Sequence, residues 1–344
     1  MPFPWEGPKR FLIRAKEPEG PWGKRPEERT VDELLRASII NLDKPPGPTS
    51  HEVVAWVRKI LGVKKAGHGG TLDPGATGVL PVGVNAGTKV LQALLSAGKE
   101  YVCIMHLHGD VPEEKIREVI EEFTGDLYQR PPVKSAVRRR LRVRKVYYMD
   151  LIEVDGRDVV FRAGTSAGTY IRKLCHDMGL ALGVGAHMAE LRRTKVGGYS
   201  EDFAVTLHDV VDAYHFWKEN GLEEPIRKVL LPVESAVVHL PKIVIRDSAV
   251  AAITHGADLA VPGILEVQEG IKPGDMVAIM TKKGELVALA KALMDSESMV
   301  EEDRGYAADV ERVIMDQGVY PPMWKKKQDA GGSGSERAGK MEAF

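Results

Sequence analysis

The chain has 344 residues, 43% hydrophobic and 28% charged, enough for two packed domains with tails. Its 48 lysines and arginines face 49 acidic residues, so a net charge of −1 excludes wholesale coating of nucleic acid; RNA binding would need local basic patches. Two cysteines far apart, Cys103 and Cys175, exclude a disulfide framework or a cysteine-rich zinc site and fit a reducing cytoplasm.

Residues 1–10 show no apolar leader, and no apolar run is long enough to cross a bilayer, so the expectation is a cytoplasmic protein with no membrane partner. Residues 1–37 are rich in Pro, Gly and charge and are expected to lie against another part of the molecule. Ser38–Leu42 reads as a strand stopped by Pro45-Pro46-Gly47-Pro48. Thr49-Ser50-His51 leads into a helix over residues 52–61, with Val53, Val54, Trp56, Val57, Ile60 and Leu61 on its apolar side. A glycine-rich loop at 67–78 precedes a buried strand at 79–84 and a short helix at 89–97. Residues 101–108, 146–154 and 159–165 read as strands, and 112–124 and 170–182 as helices. This intermingling predicts an α+β first domain over 38–236. Short strand candidates at 242–246, 276–281 and 286–293, punctuated by Gly263, Lys272-Pro273-Gly274-Asp275 and Lys282-Lys283-Gly284-Glu285, predict a second, small β-barrel over 237–320. Residues 321–344 read as a disordered tail.

The segment that points to chemistry is Gly67-His68-Gly69-Gly70-Thr71-Leu72-Asp73-Pro74-Gly75-Ala76-Thr77-Gly78. Its five glycines let the backbone approach a ligand, and Pro74 biases Asp73 towards an extended conformation that presents its carboxylate. Asp-Pro-Gly is also a good turn, so spacing alone leaves turn and site open. No Lys-Ser or Lys-Thr follows the glycines, which excludes a Walker loop. His106, His108 and Asp110 alternate along one strand face, but no further ligand cluster accompanies them, and no metal is expected.

Gly-Gly-Thr-Leu-Asp-Pro (69–74), followed by Ala-Thr-Gly-Val-Leu-Pro-Val (76–82), resembles the signature of TruB-type pseudouridine synthases. Lys99-Glu100-Tyr101, Gly168-Thr169-Tyr170-Ile171-Arg172-Lys173-Leu174 and Ala189-Glu190-Leu191-Arg192-Arg193-Thr194 follow in the family's order. The segment 250–264 resembles the start of a PUA domain, an RNA-binding module, and the whole is similar to the dyskerin-type branch of the family, the catalytic subunits of box H/ACA guide particles. The resemblance implies a mixed, largely antiparallel sheet in a pseudouridine synthase catalytic domain, with a PUA barrel on which the N-terminal extension packs. It implies that Asp73 is the catalytic aspartate, that Tyr101 stacks on a flipped base, and that Arg172 pairs with Asp73. Tyr170 and the apolar Leu191 would line the pocket, although either is also an ordinary core residue. His68 fits a contact to the target phosphate or plain loop packing. The reaction detaches uracil, turns it and rejoins it through carbon, so no cofactor is expected. The nucleotide must be flipped from its stack, and an aromatic face holds it with ~1–3 kcal/mol. The carboxylate could attack the sugar, attack the ring or remove a sugar proton; the sequence leaves these open.

Arg138, Arg139, Arg140, Arg142, Arg144 and Lys145 form the strongest basic run and are expected to contact RNA phosphate. Stand-alone bacterial members carry a thumb loop between a Ser-Ala and a later Val-Tyr; here Ser135-Ala136 reaches Val146-Tyr147 by a short basic link. The implied partners are a box H/ACA guide RNA, a target rRNA and three small core proteins: one bracing the catalytic domain, one Gly/Arg-rich, one binding a kink-turn. A stand-alone tRNA synthase and a non-catalytic RNA scaffold are the competing readings. One departure is Gly198-Tyr199, where the family often has Pro-Phe.

Overall fold

The computed structural model describes residues 10–130 and 140–323. One sheet of ten strands carries the segments 77–82, 99–101 and 189–194. Its path runs Leu231–Pro232, Ala37–Lys44, Thr77–Asn85, Ala186–Val196, Lys99–Leu107, Asp158–Thr165, Arg142–Asp155 and Gly125–Gln129, with Ala66–His68 and Tyr199–Ser200 added beside Thr77–Asn85 and Ala186–Val196. All its pairs are antiparallel except Thr77–Asn85 against Ala186–Val196.

Helices cover its faces for readable reasons. Ser50–Ile60 starts on a capping box: the Thr49 hydroxyl accepts the Glu52 amide proton, and the Glu52 carboxylate accepts that of Thr49. Val53, Val54 and Val57 then fall at helical spacing and pack with Ile40, Leu42, Leu80 and Val82 of the sheet. Each such aliphatic side chain contributes about 1.5–3 kcal/mol on full burial. Ile171–Ala181 packs Leu174, Cys175 and Met178 against Cys103, Met105 and Phe161.

Seven strands, including Ile264–Gln268, Lys242–Ile245, Met276–Met280, Leu286–Ala292 and Tyr306–Val313, curl around a second core. Ala278, Met280, Leu286 and Leu289 of this unit share an apolar cluster with Val79, Leu91, Leu94 and Val237 of the first. The charged N-terminal segment is held by polar contacts. Phe11–Ile13 pairs antiparallel with Ile264–Gln268. Arg14 donates to the carbonyls of Val300 and Glu302 at 2.7 and 2.6 Å. Arg29 makes a two-pronged pair with Glu234 at 2.7 and 2.8 Å, and Glu234 also accepts the Leu286 amide proton at 2.9 Å.

Some elements differ from the sequence reading. The strand expected to begin at residue 146 begins at Arg142, so Arg142, Arg144 and Lys145 are strand residues, not a link. The expected 89–97 helix is Leu91–Ser96, preceded by a 3-10 turn at Ala86–Lys89. Ala186–Val196, Leu207–Asn220 and Glu223–Val229 had no expected element. The expected tail from residue 324 onwards, like Arg138 and Arg139, lies outside the described residues.

Candidate active site

The Asp73 loop joins Ala66–His68 to Thr77–Asn85 and is gripped from three sides. Lys44, fully buried at the end of Ala37–Lys44, donates to the carbonyls of Pro45, Pro74 and Ala76 at 2.9, 3.0 and 2.9 Å. Burial, then the nearby Arg193 charge, holds its ammonium below the usual lysine range. The Ser50 hydroxyl accepts the Leu72 amide proton at 2.9 Å and donates to the Leu72 carbonyl at 3.1 Å. Arg193, 1% exposed, donates to Val79, Gly70 and Thr71 carbonyls at 2.8, 3.1 and 3.5 Å. Gly78 is needed where this arginine's strand crosses: its φ is 99°, and a Cβ there would meet the Arg193 carbonyl oxygen at 2.2 Å. These buried cations bond loop carbonyls, so the loop that presents Asp73 is fixed in place.

The Asp73 side chain stands out of this frame, 51% exposed, and pairs with Arg172, 49% exposed, from the first turn of Ile171–Ala181. An ion pair this open contributes little stability, so its consequence is orientation of the carboxylate. Tyr101 lies on Lys99–Leu107, opposite Arg193 on one neighbouring strand and Ala163 on the other. Arg193 is its cross-strand partner, and interaction with Tyr101 counters part of the burial that pushes that guanidinium down. Tyr101 is thus paired across the sheet with Arg193, the residue that also holds the Asp73 loop. Leu191, two residues earlier on the same strand and half-buried, packs with Tyr101 into the clusters on both sides.

Ala186–Val196 has neighbours on both sides over parts of its length, yet residues 187–192 are exposed or half-buried. Among the described residues, 186–191 pair only with Lys99–Leu107, so this stretch is an open edge of the sheet. Tyr170, half-buried, precedes the Arg172 helix. His68 is half-buried and meets His51 edge-on at 5.0 Å; burial, then the His51 and Arg193 charges, keeps its ring neutral below the usual pH. Its Nδ1 is buried without a partner among the described residues. Next to Tyr101, the buried Glu100 carboxylate accepts hydrogen bonds from the Tyr148 hydroxyl and, at 2.7 Å, the Thr194 hydroxyl.

The structure thus brings together Asp73 and Arg172, pairs Tyr101 across the sheet with the loop clamp Arg193, and sets Leu191 beside Tyr101. The basic residues are separate from this cluster. Arg140, Arg142 and Lys145 are exposed, while Arg144 is half-buried and donates to the Gly168 carbonyl at 3.1 Å. His106 and His108 bond Asp158 and His187 at 2.7 and 2.9 Å, and Asp110 pairs with Arg157. Among the described residues no group of three or more His, Cys, Asp or Glu side chains is placed to hold a metal. Sequence reasoning missed Lys44, Ser50 and Arg193 as loop clamps. The available signal was a lysine ending an apolar strand and an arginine inside a quoted motif that had no role assigned.

An oriented, water-accessible carboxylate held by an arginine is equipped to act as a nucleophile or base. Four family models match successive parts of the chain. The DKCLD domain matches residues 8–54, the N-terminal domain of TruB family pseudouridylate synthases 58–113, the tRNA pseudouridylate synthase B C-terminal domain 172–238, and the PUA domain 241–314. The probable tRNA pseudouridine synthase B of Thermococcus kodakarensis is 63% identical over 308 residues, covering 89% of this chain and 91% of the relative. The crystal structure of a Cbf5-Nop10-Gar1 complex matches at TM-score 0.90 and 60% identity, over 92% of this chain and 98% of that one. A structure of an H/ACA RNP bound to a substrate RNA containing 2'-deoxyuridine matches at TM-score 0.88 and 57% identity, over 94% and 100%.

The fold and site are those of an enzyme that isomerises a base in RNA. The chain belongs to the TruB family of pseudouridine synthases, in its dyskerin-like, PUA-containing branch.

Proposed function

We propose that this chain converts uridine to pseudouridine as the catalytic subunit of a box H/ACA particle, at positions in rRNA chosen by a guide RNA. The observation that carries the reading is the clamped loop that holds Asp73 half-exposed and paired with Arg172, with Tyr101 the cross-strand partner of the clamp residue Arg193. In the reaction the glycosidic N–C bond breaks, a C–C bond forms to the turned base, the hydrogen on the attacking carbon leaves to water as a proton, and the released ring nitrogen takes up a proton, so the product is an isomer. Asp73 is the carboxylate that acts on the nucleotide, Arg172 orients it, and Tyr101 stacks on the flipped base with Tyr170 and Leu191 lining the pocket. His68, at the start of the loop, would meet the target backbone; burial holds its imidazole below the usual histidine range. Arg140, Arg142 and Lys145 are exposed for phosphate contact, and Arg138 and Arg139 extend the same run.

The PUA unit would hold the guide, and the solved complex similar to this chain contains two further proteins, Nop10 and Gar1, which supports small protein partners. A kink-turn-binding protein completes the set. Two buried free thiols, Cys103 and Cys175, fit a cytoplasmic setting. The name of the curated relatives favours a second substrate, tRNA, acted on without a guide.

The Asp73→Asn variant tests the reading, because the amide keeps the shape of the side chain and loses its charge. Tritium release from RNA labelled at the uridine ring should fall to background in the assembled particle, with RNA retention on filters unchanged. Release near the unmodified rate would remove Asp73 from the chemistry.

A further inference from the structure

Gln129 ends the strand Gly125–Gln129 and is 3% exposed. Among the described residues its amide bonds one distant residue: Oε1 accepts the Tyr170 amide proton at 3.0 Å, and Nε2 donates to the Tyr170 carbonyl at 3.3 Å. Tyr170 is the cap residue of Ile171–Ala181, and no side chain caps that helix locally. Arg172, in the first turn, holds Asp73. The backbone of Gln129 also pairs with Arg142, the first residue of Arg142–Asp155. Two more contacts join the same hairpin to the same turn. Arg144 donates to the Gly168 carbonyl, and the Lys145 amide donates to the Ser166 hydroxyl at 2.9 Å. The basic hairpin is therefore fastened to the segment 166–170 that sets where Arg172 starts.

We propose that Gln129 is a positioning residue for the isomerisation: it transmits the placement of the basic hairpin to Tyr170 and Arg172, so that RNA held on the hairpin and a correctly aimed Asp73 occur together. A buried amide that satisfies both backbone groups of one residue fixes that residue's position and its plane. The inference rests on the reading of Asp73 and Arg172 given above.

The test uses the assembled particle with guide RNA and target strand. Gln129→Met keeps length and bulk but loses both hydrogen bonds. Gln129→Glu keeps the acceptor for the Tyr170 amide. With saturating target, the single-turnover rate of Gln129→Met should fall about tenfold or more, the effect of a lost pair of buried hydrogen bonds felt at the reacting group. Target affinity should stay within about twofold, since the phosphate-contacting cations are untouched. Gln129→Glu should recover part of the rate. An unchanged rate in Gln129→Met overturns the proposal. So does a rate loss matched by an equal loss of target affinity or by early thermal unfolding, because either would mark a residue that merely holds the fold; Gln129→Glu settles the matter if Gln129→Met fails to fold. Asp73→Asn, run alongside, separates the two ideas: activity in that variant would sink the reading of the site itself, whatever Gln129 does.

Discussion

Tyr101 joins two features that can be separated. Its ring packs with Leu191 between two cores, and its hydroxyl acts on Arg193, the buried cation that also holds the Gly70 and Thr71 carbonyls. Tyr101→Phe keeps the ring and removes an interaction that counters the burial of a guanidinium that is 1% exposed. Tyr101→Ala removes both and opens a hole between two cores. Stacking on a base contributes about 1–3 kcal/mol, and a hydrogen bond to a charged group about 1.5–3 kcal/mol. The alanine variant should therefore lose more activity than phenylalanine, and phenylalanine should lower the melting temperature measurably. Equal inactivity in single-turnover assays would show that the hydroxyl, not the ring, is what the reaction needs. Lys44 belongs to the same frame: three carbonyl acceptors around one buried ammonium leave it no free N–H.

At the scale of elements, the N-terminal segment offers a measurable joint. Arg29 and Glu234 are 17% and 12% exposed in their side chains, and Glu234 also receives the Leu286 amide from the PUA unit. Removing one member of a nearly buried pair costs roughly 3–5 kcal/mol because the other charge is stranded, whereas removing both costs less. Arg29→Met and Glu234→Gln should each lower stability clearly, and the double variant should be less damaging than the sum; additivity in a double-mutant cycle would show that the pair is not coupled. Such joints were hard to read in the sequence, since Arg29 and Glu234 lie 205 residues apart. The loop holding Asp73 was legible because its glycines, proline and carboxylate are contiguous. Its clamps were not: Arg193 reaches Gly70 across 123 residues, through a strand pairing that no local pattern announces. Ala186–Val196 escaped notice as a strand because its first half, paired on one side only, is exposed or half-buried and mixes polar with apolar residues. The basic run was read as a link because arginines and lysines look like solvent-facing loop, although strands near a sheet edge carry such charges routinely. Leu207–Asn220 buries only Val210 and Ala213, too narrow an apolar stripe to stand out.

For the whole molecule, the shared apolar cluster between the two units and the polar stitching of residues 10–36 join the RNA-binding module to the catalytic sheet. A hydrophobic interface of this kind resists the relative motion that is the default between domains. The catalytic sheet and the PUA unit share an apolar cluster, yet the formal charge of the chain is only −1. A nearly neutral chain draws little long-range help in gathering a polyanion, and under the proposed function the exposed Arg140, Arg142 and Lys145 would add phosphate contacts at close range. Base pairing to a guide supplies what the chain lacks: register along the target, and more backbone to grip. The purified chain should therefore isomerise a simple target strand slowly, and guide RNA with the small proteins should raise the single-turnover rate by orders of magnitude. Each phosphate contact releases counterions, so log affinity falls with log salt by roughly 0.7–0.9 per contact. Replacing Arg140, Arg142 and Lys145 with alanine should weaken RNA binding and flatten that slope by about two to three units if each cation meets one phosphate. Arg144 is left intact in this variant because its guanidinium is occupied at Gly168. Measuring affinity from 50 to 500 mM salt, on the order of a tenfold range, gives the slope directly. An unchanged slope would remove the hairpin from the RNA interface, and equal rates for the chain and the particle would show that the chain holds its substrate unaided, leaving the tRNA reading in place of the guided one.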